Sequence, residues 1–170
     1  MVRDDQHLVL VGLMGSGKST VGRVLAERLG RPLFDSDAMI EERTGRTVRE
    51  IFAADGEPAF RALETQALTD ALDSDAPCVV AAAGGVVLAE ANRRILRASG
   101  AKVVWLAADP AVLVERVRSG VHRPALDDDP AGTLLRMQRE REPLYREVAD
   151  LVITVDGARA VGDVVEAILR

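Results

Sequence analysis

The chain has 170 residues, a formal net charge of −5 at pH 7 and an aromatic content of only 3%. This length suits one α/β domain with a sizeable core, and the 48% hydrophobic content indicates a globular chain. An acidic chain with few aromatic residues argues against nucleic-acid binding. The sequence has no membrane-spanning run, no signal-peptide pattern and one cysteine, Cys78, so we expect a cytoplasmic protein with no membrane partner and an inert, buried thiol.

The first predicted element is an apolar strand, Leu8-Val9-Leu10-Val11. The loop Gly12-Leu13-Met14-Gly15-Ser16-Gly17-Lys18-Ser19 and a helical pattern from Thr20 to Leu29 follow it. Strand, glycine loop and helix in this order are the setting in which GxxxxGK[ST] indicates a phosphate-binding loop, although a glycine turn with a solvated lysine is the simpler alternative. Backbone N–H groups and the positive end of the helix dipole would face the phosphates. Lys18 is expected to reach the β- and γ-phosphates, and the Ser19 hydroxyl to bind Mg²⁺.

The rest of the chain alternates predicted strands with predicted helices. The strands are Pro32 to Asp35, Cys78 to Ala82, Lys102 to Leu106 and Leu151 to Val155; the helices are Ala38 to Arg43, Thr47 to about Ala54, Pro58 to about Leu72, Glu90 to Ala98, Pro110 to about Arg118, Ala131 to about Val148 and Val161 to Leu169. We expect Ser36 or Asp37 to cap the first of these helices, and Pro143 to kink or interrupt the long one. The alternation predicts an α/β fold, with a parallel sheet of five strands between helices on both faces.

Ligands of such sheets bind outside the carboxyl ends of the strands, so the residues that follow the first three strands should converge. Asp35 and Asp37 are two apart at a strand end and should point the same way on extended backbone. One could orient water on Mg²⁺ while the other accepts the proton of an attacking hydroxyl, or both could only cap a helix. Gly84-Gly85 could bring backbone N–H groups, on unusual dihedral angles, close to a small ligand, or could form a tight turn.

Four arginines are candidates for binding anionic or aromatic groups. Arg61 lies on a predicted helix that a substrate could reach. Arg141 precedes Glu142 and could equally belong to a surface ion pair. Arg123 lies in the polar loop from Ser119 to Pro130 and could stabilise the charge of a transferring phosphate. Arg116 lies near the end of the preceding helix and could stack on adenine.

Several segments occur together and in order: the phosphate loop, Asp35-Ser36-Asp37, Phe52-Ala53-Ala54-Asp55-Gly56-Glu57-Pro58-Ala59-Phe60-Arg61 with Glu64, Gly84-Gly85, Arg123-Pro124 and Arg141-Glu142-Pro143-Leu144-Tyr145. In this combination the chain resembles the shikimate kinases, of the nucleoside monophosphate kinase structural group, over residues 8–170. The resemblance implies one P-loop kinase domain over residues 1–170, with a substrate-binding helical region at about 36–72 and a mobile lid at about 119–130. It implies transfer of the ATP γ-phosphate, with Mg²⁺, to the 3-hydroxyl of shikimate in chorismate and aromatic amino acid biosynthesis. We also expect a monomer.

The resemblance also implies the site residues. Catalysis would depend on Lys18, Asp37 and Arg123; nucleotide binding on Gly15, Ser16, Gly17, Lys18, Ser19, Thr20, Arg116, Arg123 and Arg159; shikimate binding on Asp37, Arg61, Gly84, Gly85 and Arg141; and Mg²⁺ binding on Ser19 and Asp35. Within this set, Asp37 would bind the substrate hydroxyls and act as the base. Arg61 and Arg141 would grip the substrate carboxylate, with Glu64 in support of Arg61.

The chain departs from the resembled family after its third strand. The family usually has three glycines there, often with a serine two residues before them, whereas this chain has Ala83 and Ala81 at the first-glycine and serine positions. Because Ala83 continues an apolar strand, we expect extended backbone and no strain at this position. Two alternatives stay open: a kinase of another cyclic polyol acid, of gluconate or of a nucleotide, and a nucleotide-binding regulatory module that has lost catalysis.

Overall fold

A computed structural model describes residues 2–119 and 129–170, and a parallel sheet lies at its centre. The strands are β1 (Leu8–Val11), β2 (Leu33–Asp35), β3 (Val79–Ala81), β4 (Lys102–Ala108) and β5 (Leu151–Val155). The helices are α1 (Lys18–Leu29), α2 (Ser36–Thr44), α3 (Val48–Leu72), α4 (Glu90–Ala98), α5 (Pro110–Ser119), α6 (Pro130–Val148) and α7 (Val161–Leu169). The strand order is β2-β3-β1-β4-β5, and every neighbouring pair is parallel. The predicted α/β fold with a five-stranded parallel sheet is confirmed.

The central strand β1 is buried along its whole length. Leu8, Val9, Leu10 and Val11 each have no exposed surface. Because successive side chains of a strand point to opposite faces of the sheet, both faces must be covered here. This explains why the central strands read as continuous apolar runs rather than as alternating patterns.

Two helices begin earlier than the sequence pattern indicates. Helix α1 begins at Lys18 rather than Thr20, directly after Gly17, whose φ of 96° is left-handed. Helix α2 begins at Ser36, and Asp35 caps it by accepting hydrogen bonds from the backbone N–H groups of Asp37 and Ala38. The prediction of Ser36 or Asp37 as the cap is wrong, because the extended last residue of β2 already places its carboxylate beside the first free N–H groups.

Helices α2 and α3 pack together around a small apolar cluster of their own. Its buried members are Ile40, Ile51, Phe60 and Ala67. The predicted capping box of Thr47 and Glu50 begins α3. The predicted break is present at Gly56, where φ is 81° and ψ is 174° within the helix. This cluster fixes the helical region that carries Arg61.

Helix α6 continues across Pro143 as one helix, so the predicted interruption is wrong. A proline inside a helix loses one backbone hydrogen bond. Arg141 and Tyr145 are buried on either side of Pro143. Among the residues described, no helix has both the length and the apolar character that crossing a membrane requires. The predicted lid at about 119–130 lies almost entirely outside the described residues, and Arg123 lies outside them altogether.

Candidate active site

The carboxyl ends of three neighbouring strands form one edge of the sheet. β1 leads into the phosphate loop, β2 ends at Asp35, and β3 leads into Ala82 and the glycine pair. One cavity at this edge is lined by Met14, Gly15, Gly17, Lys18, Ser19, Thr20, Asp35, Asp37, Ala81, Ala82, Ala83 and Gly84. The structure therefore brings together the three segments that the sequence placed at strand ends.

The phosphate loop is closed upon itself by its lysine. The Nζ atom of Lys18 donates hydrogen bonds to the carbonyl oxygens of Gly12 at 2.8 Å and Leu13 at 2.9 Å. Gly12 must be glycine, because a Cβ atom there would lie 2.7 Å from the carbonyl oxygen of Leu106. These bonds hold the ammonium against the inner wall of the loop, beside the cavity.

Asp35 uses its two carboxylate oxygens for different contacts. Oδ1 accepts the two capping hydrogen bonds of α2, at 3.2 and 3.3 Å. Oδ2 accepts a hydrogen bond of 2.5 Å from the Ser19 hydroxyl. The cap fixes the orientation of the carboxylate, so that Oδ2 stays directed at Ser19. A hydroxyl and a carboxylate oxygen side by side are the hard donors that Mg²⁺ prefers.

The spacing of Asp37 to Asp35 predicted extended backbone at Asp37, and this prediction is wrong. Asp37 lies in the first turn of α2. It nevertheless lines the phosphate-loop cavity together with Asp35, and it also lines a second cavity next to it. Asp37 thus lies on the boundary between the two cavities.

The second cavity contains both arginines that the sequence singled out. It is lined by Met14, Asp37, Val48, Phe52, Glu57, Phe60, Arg61, Glu64, Ala83, Gly84, Gly85, Met137 and Arg141. Arg141 is only 6% exposed, so the alternative of a surface ion pair with Glu142 does not hold. Glu142 instead pairs with Arg146 on the outer side of α6.

Arg61 is held by carboxylates on two sides. Its Nε and Nη2 atoms donate to Glu57, at 3.2 and 2.9 Å, and its Nη1 atom donates to Glu64 at 2.5 Å. The Glu64 side chain is 1% exposed. Burial raises the pKa of Glu64, although the positive charge of Arg61 opposes the increase. Burial lowers the pKa of Arg61, but the two glutamates more than compensate and raise it overall.

The glycine pair after β3 is needed for space rather than for unusual dihedral angles. Among the described residues, positive φ occurs only at glycines, and neither Gly84 nor Gly85 is one of them. A Cβ atom on Gly85 would lie 1.9 Å from Nη1 of Arg61. A Cβ atom on Gly84 would lie 3.4 Å from the backbone nitrogen of Met14. The guanidinium and the phosphate loop can approach this turn closely because it has no side chains.

A third cavity lies behind the phosphate loop. It is lined by Gly15, Ser16, Gly17, Thr20, Val21, Arg116, Val155, Arg159, Val161 and Val164. Arg116 donates a hydrogen bond to the carbonyl of Gly15 at 3.0 Å, and Arg159 donates to the carbonyl of Thr154 at 3.1 Å. A cavity lined by valines and by guanidinium groups suits a flat heterocycle such as adenine.

Sequence reasoning assigned no role to several residues that line the arginine-lined cavity or lie next to it. Phe52 and Phe60 lie on either side of the Gly56 break, and their ring centroids are 4.6 Å apart. Glu57 lies four residues before Arg61, a spacing that indicates a helical ion pair. Tyr145 lies four residues after Arg141, and its hydroxyl donates to the carbonyl of Gly84 at 2.5 Å. The spacings of Glu57 and Tyr145 were readable in the sequence, but their contacts across the turn were not.

The fold and the loop at the end of its central strand define this chain as a P-loop kinase. The family model described as "Shikimate kinase" matches residues 14–170. The chain belongs to the shikimate kinase family.

Individual relatives agree with this assignment. The chain is 46% identical over 167 residues to the shikimate kinase of Symbiobacterium thermophilum, covering 96% of this chain and 94% of that protein. The shikimate kinase from Acinetobacter baumannii in complex with shikimate has a TM-score of 0.91 at 39% identity, covering 96% of this chain and 90% of that one. A gluconokinase from Sinorhizobium meliloti has a TM-score of 0.54 at 25% identity, covering 96% of this chain and 89% of that one. The lower score disfavours the gluconate alternative.

Proposed function

We propose that this protein transfers the γ-phosphate of ATP to the 3-hydroxyl of shikimate, giving shikimate 3-phosphate and ADP for chorismate and aromatic amino acid biosynthesis. The observation that carries this proposal is the adjacency of two cavities. The phosphate-loop cavity and the arginine-lined cavity share Met14, Asp37, Ala83 and Gly84. A small acid held by the arginines would therefore present a hydroxyl at the boundary that faces the phosphates.

The arginine-lined cavity suits a small carboxylate. Arg61 and Arg141 both line it, and guanidinium groups bind carboxylates through paired, charge-assisted hydrogen bonds. Glu57 and Glu64 hold the guanidinium of Arg61 in one orientation, so little rotamer entropy is lost when the substrate binds. Gly84 and Gly85 leave room for a ring between the arginines and the phosphate loop. These features support the assignment of the substrate carboxylate to this cavity.

The phosphate loop supplies binding and charge stabilisation for the transferred group. The ammonium of Lys18, which lies against the carbonyls of Gly12 and Leu13, would turn to the β- and γ-phosphate oxygens of ATP. The remaining assignments of nucleotide contacts are Gly15, Ser16, Gly17, Ser19 and Thr20 from the loop and α1, and Arg116 and Arg159 from the cavity that suits adenine.

Mg²⁺ is the expected metal, and the residues present fit it. Ser19 and Asp35 place two oxygen donors 2.5 Å apart at the edge of the phosphate-loop cavity. In the part of the chain that the structure describes, no group of three or more metal-binding side chains occurs. This suits an ion that is held by few protein ligands and by phosphate oxygens and water. When bound, Mg²⁺ would neutralise developing charge on the phosphates.

Two further residues are assigned to the chemical step. Asp37, on the boundary between the cavities, would hold the attacking hydroxyl and accept its proton. Arg123, outside the described residues, would stabilise the charge of the transferring phosphate. We expect Arg123→Ala to lower kcat more than it weakens ATP binding.

The experiment that tests the proposal is an assay of ADP release with Mg²⁺, ATP and shikimate. We expect release that depends on shikimate, and Lys18→Ala should lose most of it while the protein stays folded, because this side chain is not part of the core. Purified protein that releases no shikimate-dependent ADP at millimolar substrate would refute the proposal.

A second candidate is a kinase of a related cyclic polyol acid. Ala83 favours it, because this departure from the usual glycine lies in the lining of both cavities. Replacing shikimate by related acids in the same assay separates the two functions. We also propose a monomer in the cytoplasm, where the free thiol of Cys78 would stay reduced.

A further inference from the structure

Tyr145 connects helix α6 to the turn that follows β3. Its side chain is among the largest fully buried ones, at 1% exposure. Its hydroxyl donates a hydrogen bond of 2.5 Å to the carbonyl oxygen of Gly84, which is 61 residues away in sequence. This contact reaches directly into the wall of the arginine-lined cavity, which Gly84 and Gly85 form.

The Tyr145 hydroxyl completes the hydrogen bonding of that turn. The carbonyl of Ala83 accepts from the N–H of Val86 at 3.0 Å, and the carbonyl of Gly85 accepts from the N–H of Leu88 at 3.0 Å. The carbonyl of Gly84, between them, accepts from Tyr145. The Gly84 carbonyl is partly buried, and its donor is a side chain of a distant helix, so this hydrogen bond helps to set the direction of the Gly84 peptide.

The aromatic ring of Tyr145 packs in the hydrophobic core. The ring stacks on Trp105 of β4, with centroids 5.7 Å apart and an interplanar angle of 22°. Trp105 pairs in register with Val11, the last residue before the phosphate loop. Tyr145 therefore contacts both the glycine turn, through its hydroxyl, and strand β4 beside the central strand, through its ring.

Arg141 faces the same hydroxyl from one helical turn earlier. The Nη1 atom of Arg141 lies 3.7 Å from the point where a Cβ atom on Gly84 would lie. Its buried Nε atom has no hydrogen-bond partner among the described residues. Burial raises the pKa of Tyr145 to about 12, so this hydroxyl, like that of any tyrosine, is protonated near neutral pH and can donate to Gly84.

We infer that Tyr145 is a positioning residue for substrate binding: its hydroxyl fixes the Gly84 peptide and the Arg141 guanidinium at the spacing that the carboxylate of the substrate requires. The inference rests on the proposed function, because it takes that carboxylate to be the one of shikimate. Tyr145 itself lines neither of the two substrate cavities and acts through its neighbours.

The test is Tyr145→Phe, which removes the hydroxyl and keeps the ring on Trp105. We expect the KM for shikimate to rise about tenfold, which corresponds to about 1.4 kcal/mol, with the KM for ATP little changed. Calorimetric titration with shikimate should show the same loss of affinity. The preference for shikimate over its methyl ester should narrow, because the affected group is the carboxylate.

Thr69→Val is the matched control. Thr69 donates its hydroxyl to the carbonyl of Thr65 at 2.9 Å within α3, so the variant loses a hydroxyl–carbonyl bond away from the cavities. Because this bond is local to one helix, the variant should stay folded without changing either KM. If Tyr145→Phe behaves like this control, or if it raises both KM values equally, the hydroxyl is only structural and the inference is overturned.

The calorimetric readout separates this inference from the proposed function. If the wild type binds shikimate but releases no ADP, the proposed function fails, and the affinities of the wild type and Tyr145→Phe still decide the role of the hydroxyl. If the wild type does not bind shikimate at all, both are refuted.

Discussion

At the scale of single residues, Arg61 shows how structural and binding roles can share one side chain. Three of its nitrogen atoms donate to Glu57 and Glu64, and the guanidinium packs onto the bare backbone of Gly85. Replacing Arg61 therefore removes a carboxylate-binding group and also leaves Glu64 buried without its partner. A test of binding must separate the two effects.

Arg61→Lys makes this separation. The lysine keeps a positive charge near Glu64 but cannot offer the paired N–H groups of a guanidinium to a carboxylate. We expect a folded protein in which the KM for shikimate rises by at least about tenfold, since a charge-assisted bond is worth ~1.5–3 kcal/mol. The measurement is the ratio of kcat/KM for shikimate and for its methyl ester, with Arg141→Lys in parallel. An unchanged ratio in both variants would refute the carboxylate clamp.

Arg61→Met should make the stability depend on pH through Glu64. Burial already raises the pKa of Glu64, and removing the opposing charge of Arg61 should raise it further. A carboxyl whose folded-state pKa is raised stabilises the fold most below its unfolded pKa, and this contribution is lost as pH rises through the folded pKa. The variant should thus be destabilised by up to about 3 kcal/mol at neutral pH and by less in acid. Urea unfolding from about pH 4 to 8 measures this difference, and a loss that is constant with pH would contradict it.

Ala83 should be a tolerated departure. Strand β3 ends at Ala81, so the prediction that Ala83 continues the strand is wrong, but no non-glycine residue among those described has a positive φ, and the predicted absence of left-handed strain at Ala83 is confirmed. Ala83→Gly should change kcat/KM for shikimate by less than about tenfold, or ~1.4 kcal/mol. It should not stabilise the fold, because glycine loses more conformational freedom on folding. A much larger gain in activity would instead indicate that the natural substrate of the wild type is another acid.

At the scale of elements, the start of α2 joins helix capping to the expected metal site. Asp35→Asn separates the two, because an asparagine oxygen can still cap the helix while a neutral amide binds Mg²⁺ poorly. We expect its melting temperature to stay close to that of the wild type and its activity to require more Mg²⁺. Asp35→Ala should also lose about 1 kcal/mol of stability through the missing cap. Equal Mg²⁺ dependence in Asp35→Asn and the wild type would exclude Asp35 as a ligand.

The elements themselves were largely predictable from the sequence, because their signals are local. The apolar runs, the capping box at Thr47 and the break at Gly56 all depend on neighbouring residues, and each is found where predicted. The cap of α2 was predicted at the wrong residue, because Asp35, which caps this helix, is also the last residue of β2. The hydrophobic period of a strand, two residues, or of a helix, 3.6 residues, does not reveal that one residue both ends a strand and caps the next helix.

The sequence indicated which residues belong to the candidate site, but not the contacts that explain why those residues are needed there. Sequence motifs selected Gly85 and Arg61, but only the fold shows that the glycine is required because the guanidinium occupies the space of its Cβ atom. The hydrogen bond from Tyr145 to Gly84 spans 61 residues, and no local pattern indicates it. Such contacts are set by how α3 and α6 pack against the turn after β3.

At the scale of the whole molecule, the sheet order gives the site its layout. Because β3 lies between β2 and β1, the aspartates, the glycine turn and the phosphate loop end at one edge. Helices α3 and α6 bring Arg61 and Arg141 to that edge from different parts of the chain. Nucleotide and acid can therefore occupy adjoining cavities, as direct phosphate transfer requires.

Cys78 offers a probe of how this fold opens as a whole. It immediately precedes strand β3, with no exposed surface, and burial raises the pKa of its thiol to about 11. The thiolate is the reactive form, so a disulfide reagent at neutral pH should not label the native protein and should label it fully in denaturant. We expect labelling to follow the same urea midpoint as circular dichroism. Rapid labelling of the native protein would contradict the buried, inert thiol.

The most direct test of the central claim is the identity of the phosphorylated product. Purified protein with Mg²⁺, ATP and shikimate should give one new phosphomonoester, which phosphorus and proton NMR spectra place on the 3-hydroxyl of shikimate, in equal amount to the ADP formed. A product phosphorylated at another hydroxyl, or ADP that forms equally fast without shikimate, would contradict the account.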